Sequence, residues 1–184
     1  FESLGKVSFQ YDYQKNKRFE YDLRRGNDRD RPALDLELDT HTVLVDVKKA
    51  YDALELKYGI MGRFQTNFAN PDTGIRRLIP DYDKYDYGVY LIGDYKINDK
   101  WQVESGIRFD YSFIDAFKYY KNSVWIERGY DLLFPDIVVN ELSTQLLTNP
   151  KLEFNNLSAT LGFNYNISEN SSLFFNQSMA SRAP

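Results

Sequence analysis

The sequence predicts an all-β chain, an antiparallel up-and-down meander of about seven strands. Three observations lead there. Long stretches alternate strictly between apolar and polar residues, and the side chains of a strand point alternately to opposite faces. The alternating runs are separated by polar turn signals. The aromatic share is high, at 16%, with 15 Tyr and 13 Phe, and Tyr suits sites apolar on one side and wet on the other.

The clearest run is Trp101 to Tyr111. Its odd positions are Trp, Val, Ser, Ile, Phe and Tyr, and its even positions Gln, Glu, Gly, Arg and Asp. Tyr85 to Ile97 has the same parity, and Asn98-Asp99-Lys100 reads as a hairpin turn between the two. Val7 to Arg25 also alternates, with Lys15 and Lys17 interrupting the apolar parity. Two readings compete: a hairpin turning at Gln14-Lys15-Asn16-Lys17, or one strand of roughly 20 residues, about twice a tilted bilayer crossing. Unbroken parity favours the single strand, since a turn need not preserve it.

A polar loop follows at Gly26 to Pro32. Leu34, Leu36, Leu38, Thr40, Thr42 and Leu44 then alternate with Asp35, Glu37, Asp39 and His41. The parity blurs at Val43, Val45 and Val47, which indicates a bulge or strand end. A turn near Ala50-Tyr51-Asp52 leads to Leu54, Leu56, Tyr58, Ile60 and Phe64, alternating with Lys57, Gly59, Arg63 and Gln65. Phe68 to Lys84 reads as a longer loop with Asn70-Pro71-Asp72-Thr73-Gly74 at its tip. Phe117 to Glu153 lacks sustained alternation and reads as a connection, with a short helix over Asp136 to Leu147. Leu157 to Ile167 alternates again, and Ser168 to Ser171 turns into a last run, Leu173 to Met179.

Composition removes several functions. The net charge is −4 with no basic stripe, which excludes nucleic acid as a partner. There is no Cys and one His, so neither a thiol nor a His-based metal site is expected. Asp81 to Asp86 lacks the spacing of a calcium loop. Asp39 and His41 have no Ser placed by a motif, so no catalytic residue, enzyme activity or cofactor is expected. No 18-residue apolar run exists, which says nothing against a strand-built membrane wall with a mean hydropathy of −0.56. One domain is expected at 184 residues.

The turns alternate short and long. Short ones fall at 50–52, 98–100 and 168–171, long ones at 26–32, 68–84 and 114–154. Short turns on one side and long loops on the other are the pattern of an outer-membrane β-barrel. Tyr95, Trp101 and Tyr165 flank the short turns, where an aromatic girdle belongs. The competing architecture is a soluble antiparallel sandwich with the apolar faces packed together.

Four short motifs resemble the TonB-dependent outer-membrane receptors, in the style of the Bacteroidetes. They are Gln10 with Asn16-x-Arg18-x-Glu20-x-Asp22-x-Arg24-Arg25 and Pro32-Ala33-Leu34-Asp35-Leu36; Asn70-Pro71-x-Thr73-Gly74 with Leu78-Ile79-Pro80-Asp81-Tyr82; Trp101 with Gly106-Ile107-Arg108-Phe109-Asp110; and Ser181-Arg182-Ala183-Pro184. The resemblance implies that residues 1–184 are part of a large outer-membrane barrel, an interior piece without its plug domain and remaining strands. It implies a lipid bilayer, the plug, TonB (through the missing N-terminal part) and a small-molecule or metal-chelate ligand as partners. It implies energy-dependent uptake of a siderophore, haem, cobalamin or glycan.

On that resemblance, Arg63, Gln65, Glu104, Arg108 and Asp110 face the lumen, as channel lining or as ligand contacts. Arg76, Arg77, Tyr82, Tyr85, Tyr119, Tyr120, Trp125 and Arg128 are loop candidates, since Arg with aromatics suits anionic or planar ligands. Loop–loop packing is the other reading of these residues. A soluble sandwich binding carbohydrate or serving adhesion, and an outer-membrane enzyme, remain alternatives at this point. Seven strands cannot close a barrel of this size, so the isolated piece is expected to aggregate in water or to pair edge to edge as an oligomer.

Overall fold

The computed structural model describes residues 5–22, 30–73 and 79–181. Within them the meander forms. Its strands are β1 (Lys6–Glu20), β2 (Leu34–Ala50), β3 (Leu54–Ala69), β4 (Asp81–Lys96) and β5 (Trp101–Lys121). Two short helices follow, α1 (Asn122–Glu127) and α2 (Tyr130–Leu133), then a small hairpin, β6 (Val138–Glu141) and β7 (Gln145–Thr148). β8 (Lys151–Ser168) and β9 (Ser171–Ala180) complete one nine-stranded antiparallel sheet. β8 returns beside β5, and β7 pairs with the far end of β5 from Lys118 to Lys121. The tight turns lie at 51–53, 97–100 and 169–170, all at one end of the sheet.

β1 is a single strand. Its register with β2 runs unbroken from Lys6 against Lys48 to Glu20 against Leu34, so no turn forms at 14–17. Several boundaries differ from the sequence reading. No bulge occurs at Val43 to Val47, because β2 keeps register with β1 and β3 throughout. Both strands reach into the loop expected over 68–84, since β3 runs to Ala69 and β4 begins at Asp81. Asn67 pairs with Tyr82 and Thr66 with Asp83, so Tyr82 and Tyr85 belong to β4. The connection after β5 starts at Asn122, and 136–147 holds the β6–β7 hairpin instead of a helix. The β-branched Val138 and Val139 favour a strand there. The expectations for Leu23 to Arg29, Gly74 to Leu78 and Arg182 to Pro184 concern residues outside the described ones.

The register sorts every side chain onto two faces. One face carries the row Phe9–Val45–Ile60–Val89–Phe109–Leu157. The other carries Asp46–Gly59–Tyr90–Arg108–Ser158. This corrects the reading of β2. Val43, Val45 and Val47 lie on the apolar face, and Leu34, Leu36 and Leu38 on the polar one, where Leu36 is buried beside Ala69. Among the described residues no second layer covers the apolar face: Phe9 is 70% exposed, Val89 52% and Ile107 51%. A sandwich hides such a face, since each large apolar side chain gains about 1.5–3 kcal/mol on leaving water. Here the face is uncovered, and the sandwich architecture is excluded.

The sheet is also sheared. Val47, Tyr58, Leu91, Ile107 and Ala159 share one row. Below that row β2 continues for about three residues, β4 for about five and β8 for about nine. The upper limit stays in one row across β1 to β5, from Tyr13 to Phe113, and falls beyond it, to Leu157 on β8 and Met179 on β9. The lower limit therefore slips by about 1–1.5 residues per strand. With a rise of about 3.3 Å and a spacing of about 4.8 Å, the strands tilt by about 35–45°, as in closed membrane barrels.

Two glycines let long side chains lie flat on the polar face. The Tyr90 hydroxyl of β4 crosses β3 over Gly59 and donates to Asp46 of β2. A Cβ on Gly59 would sit 2.6 Å from the Val45 carbonyl oxygen and 2.8 Å from the Tyr90 hydroxyl. Over Gly88, a Cβ would meet Asp110 Oδ1 at 2.7 Å and Arg108 Nη2 at 3.0 Å. Gly59→Ala is expected to cost about 1–3 kcal/mol by overpacking, against backbone that cannot retreat. Urea unfolding of the full-length protein in vesicles measures it. Gly129→Ala, which meets nothing nearby but has φ of 66°, separates backbone strain from crowding.

Candidate functional site

The polar face is a wall of paired charges. Arg108 Nε donates to Asp110 Oδ2 at 2.7 Å and Nη2 donates to Oδ1 at 2.6 Å, a two-pronged pair along one strand. The Arg108 guanidinium crosses Gly88 and reaches within 3.9 Å of Met61 Sδ. Asp86 accepts from the Ser112 hydroxyl at 2.6 Å and lies 3.4 Å from Lys84 Nζ and 4.0 Å from Arg63 Nη1. Lower down, the Gln102 amide donates to both Asp94 oxygens at 2.7 and 2.8 Å. Charges removed from water need such partners, because a lone desolvated charge is costly.

Between β1, β2 and β3 the polar face sinks into a depression of about 360 Å³, lined by Gln14, Asn16, Leu38, Thr40, Thr42, Arg63 and Gln65. Gln65 donates to Thr40 Oγ1 at 3.1 Å. Tyr82 lies higher on the same face, and burial pushes its hydroxyl above the ordinary tyrosine range.

The outer connection is a small folded cap. By alternation Tyr120 points to the face that carries Arg108 and Asp110, and it packs there on α1 and α2. Its ring centroid lies 5.2 Å from Trp125 and 6.1 Å from Tyr130, and Tyr130 lies 5.7 Å from Phe134. Trp125 is 3% exposed, and Leu146 and Thr148 are buried with it. The Thr148 hydroxyl donates to the Lys118 carbonyl at 2.9 Å. Arg128 lies over the Tyr130 ring at 6.0 Å. The cap therefore overhangs the polar wall and not the apolar face.

The apolar face ends upward in the ring row Tyr13–His41–Phe64–Tyr85–Phe113, one from each of five adjacent strands, with centroid distances from 4.9 to 6.4 Å. The Tyr11 hydroxyl lies 2.8 Å from His41 Nδ1. Downward, the Trp101 and Tyr165 rings pack at a tilt with centroids 4.5 Å apart beside the short turns. Two aromatic girdles thus bound the apolar band, as at the two interfaces of a bilayer. Beyond the upper girdle Lys15 and Lys17 pair with Glu37. Hydrogen bonds from Lys15 and then Lys17 hold the Glu37 carboxyl below the ordinary carboxylate range. Such exposed pairs contribute little, and their effect is to let two lysines stand beside the apolar band.

The site residues expected from sequence divide by place. Arg63, Gln65, Arg108 and Asp110 share the polar wall, with Arg63 and Gln65 at the depression. Tyr120, Trp125 and Arg128 come together in the cap; Tyr119, one residue before Tyr120, points to the opposite face. Arg76 and Arg77 lie outside the described residues. Asp86, Lys84, Ser112 and the depression's Gln14, Asn16, Thr40 and Thr42 were not foreseen. Their partners come from other strands, and only the register reveals them.

Among known proteins, residues 3–184 match the family model described as TonB dependent receptor-like, β-barrel. No curated protein sequence matches the chain. Two solved structures share the fold. One is the open form of the ferric-catecholate import receptor Fiu from E. coli K12, with a TM-score of 0.59 and 10% identity over 82% of this chain and 26% of that one. The other is the copper transporter OprC, with a TM-score of 0.55 and 10% identity over 92% of this chain and 26% of that one. The chain thus spans about a quarter of the length of either structure. With a family match over almost its whole length and a sheared sheet that is apolar outside and charged inside, this chain belongs to the TonB-dependent receptor-like β-barrel family.

Proposed function

We propose that this chain is wall and outer loop of a bacterial outer-membrane receptor for energy-dependent uptake of a scarce nutrient, a metal chelate first among the candidates. One observation carries the reading: a single sheet whose apolar face is uncovered between two aromatic girdles, while its opposite face holds ion pairs and a folded cap. In water such a face is unstable, and in a bilayer it is the surface that hydrocarbon requires. The plug domain and TonB enter as partners of the whole receptor. The fold neighbours are named for ferric-catecholate and copper, and Arg128 stacked on Tyr130 suits a planar anionic chelate. Deleting the gene in the source bacterium and measuring iron-limited growth on ferric catecholates, haem and ferric citrate tests this. Loss of growth on one chelate, restored by the gene, is the expected result. Unchanged growth and unchanged metal content on all three, and on limiting copper, would remove the metal-chelate assignment.

A further inference from the structure

The depression on the polar face is bordered by an arginine whose charge is only loosely matched. On the same face Arg108 is matched by two hydrogen bonds, from Nε and Nη2 to Asp110, and Lys57 lies over the Tyr90 ring. At the depression two cations share one carboxylate. Asp86 takes the Ser112 hydroxyl at 2.6 Å and Lys84 at 3.4 Å, and Arg63 approaches it only to 4.0 Å. Arg63 presents five donors in a fixed fork, and a contact of that length leaves most of them unused. Among the described residues no acidic side chain lines the depression. Asp12 sits in the row of Thr42 and Arg63, two strands from Arg63 and so about 10 Å away. It already accepts the Gln10 amide at 2.8 Å.

The remaining lining is neutral and polar. Gln14 and Asn16 bring carboxamides from β1, Thr40 and Thr42 bring hydroxyls from β2, and Gln65 brings a third carboxamide. Such groups both donate and accept, which suits ligand hydroxyls. The volume, about 360 Å³, is that of a small-molecule site. We propose that this depression binds a small hydroxylated carboxylic acid, with its carboxylate on the Arg63 fork and its hydroxyls on Gln14, Asn16, Thr40 and Thr42. The inference rests on the reading of this face as the lumen wall, and it places a polar anion site on β1–β3, apart from the aromatic cap above.

The test uses the full-length receptor in detergent micelles, with citrate as probe and sorbitol, a neutral polyol, beside it. Calorimetric titration should show citrate binding and no sorbitol binding. Arg63→Gln should weaken citrate binding by about tenfold or more, the scale of one lost charge-assisted pair. Asp86→Asn, which frees Arg63 further, should hold or strengthen it. Equal binding of sorbitol and citrate, citrate binding that survives Arg63→Gln, or no citrate binding at millimolar concentration would each overturn the site. The gel mobility of unboiled against boiled protein reports the folded barrel in every variant. A barrel that keeps its mobility shift but binds no citrate refutes the site alone, and loss of the shift in the unaltered receptor speaks against the barrel reading.

Discussion

Val89→Arg is expected to destabilise the full-length protein in phospholipid vesicles by about 2–4 kcal/mol, the cost of a guanidinium near the middle of a barrel's lipid face. Val89 sits halfway up β4, between Ile60 on β3 and Phe109 on β5, in the row that runs from Phe9 to Leu157. It is already 52% exposed, so in a water-soluble sheet the same change would move stability by no more than about 0.5 kcal/mol. The solvent on that face thus sets the size of the effect. Ser158→Arg, on the polar face in the row of Arg108, is the companion, and it should fall well below the Val89 change. Urea titration of both variants in vesicles, followed by tryptophan fluorescence, gives the comparison. Equal costs for the two would mean that hydrocarbon does not touch the Val89 side.

The second large effect belongs to the cap. Trp125→Ala should cost the cap about 3–5 kcal/mol, the range for removing a buried large aromatic. Trp125 is 3% exposed and fills the space between Tyr120 and Tyr130. α1 has six residues and α2 four, far too short to persist alone, so their order depends on this cluster. Limited proteolysis should then cut between Phe117 and Pro150 in the variant and not in the parent. The wall should keep its unfolding midpoint, because β5 and β8 pair without the cap from Trp101 against Tyr165 to Asp115 against Lys151. Arg128→Ala removes only the contact over Tyr130, worth about 0.5–1 kcal/mol, and should leave the cap resistant. A simultaneous fall in the wall's midpoint would show that cap and wall fold as one unit.

The strands were legible because alternation is a local signal. Val7 to Tyr21 kept parity across two lysines, and that parity alone decided between one strand and a hairpin. β2 shows the limit of the signal. Leu34, Leu36 and Leu38 look like a membrane face, yet their register with Arg18 and Ala69 puts them on the wall. Parity says which residues share a face, and only neighbouring strands say which face it is. The cap was illegible for another reason: helices of six and four residues show no period, and their core joins Tyr120, Trp125, Tyr130 and Phe134 at irregular spacing. His41 stands two residues from Asp39 in the sequence, with no catalytic role expected for either. Its place is a rung of the ring row between Tyr13 and Phe64, drawn from three strands at once. The pairing of Asp86 with residues 63, 84 and 112 was invisible for the same reason.

The shear of the sheet fixes how much of a cylinder this chain can make. At a tilt of about 40° each strand takes up about 6 Å of girth. Seven long strands then subtend about 115° of a 22-strand cylinder about 22 Å in radius. In that geometry the outer edges of β1 and β9 stand about 35 Å apart across the bore, well beyond the reach of any hydrogen bond. The arc and its chord enclose a segment, open to the bore below the overhanging cap. Whatever occupies that segment meets Arg63, Tyr90 and Arg108 from the same side.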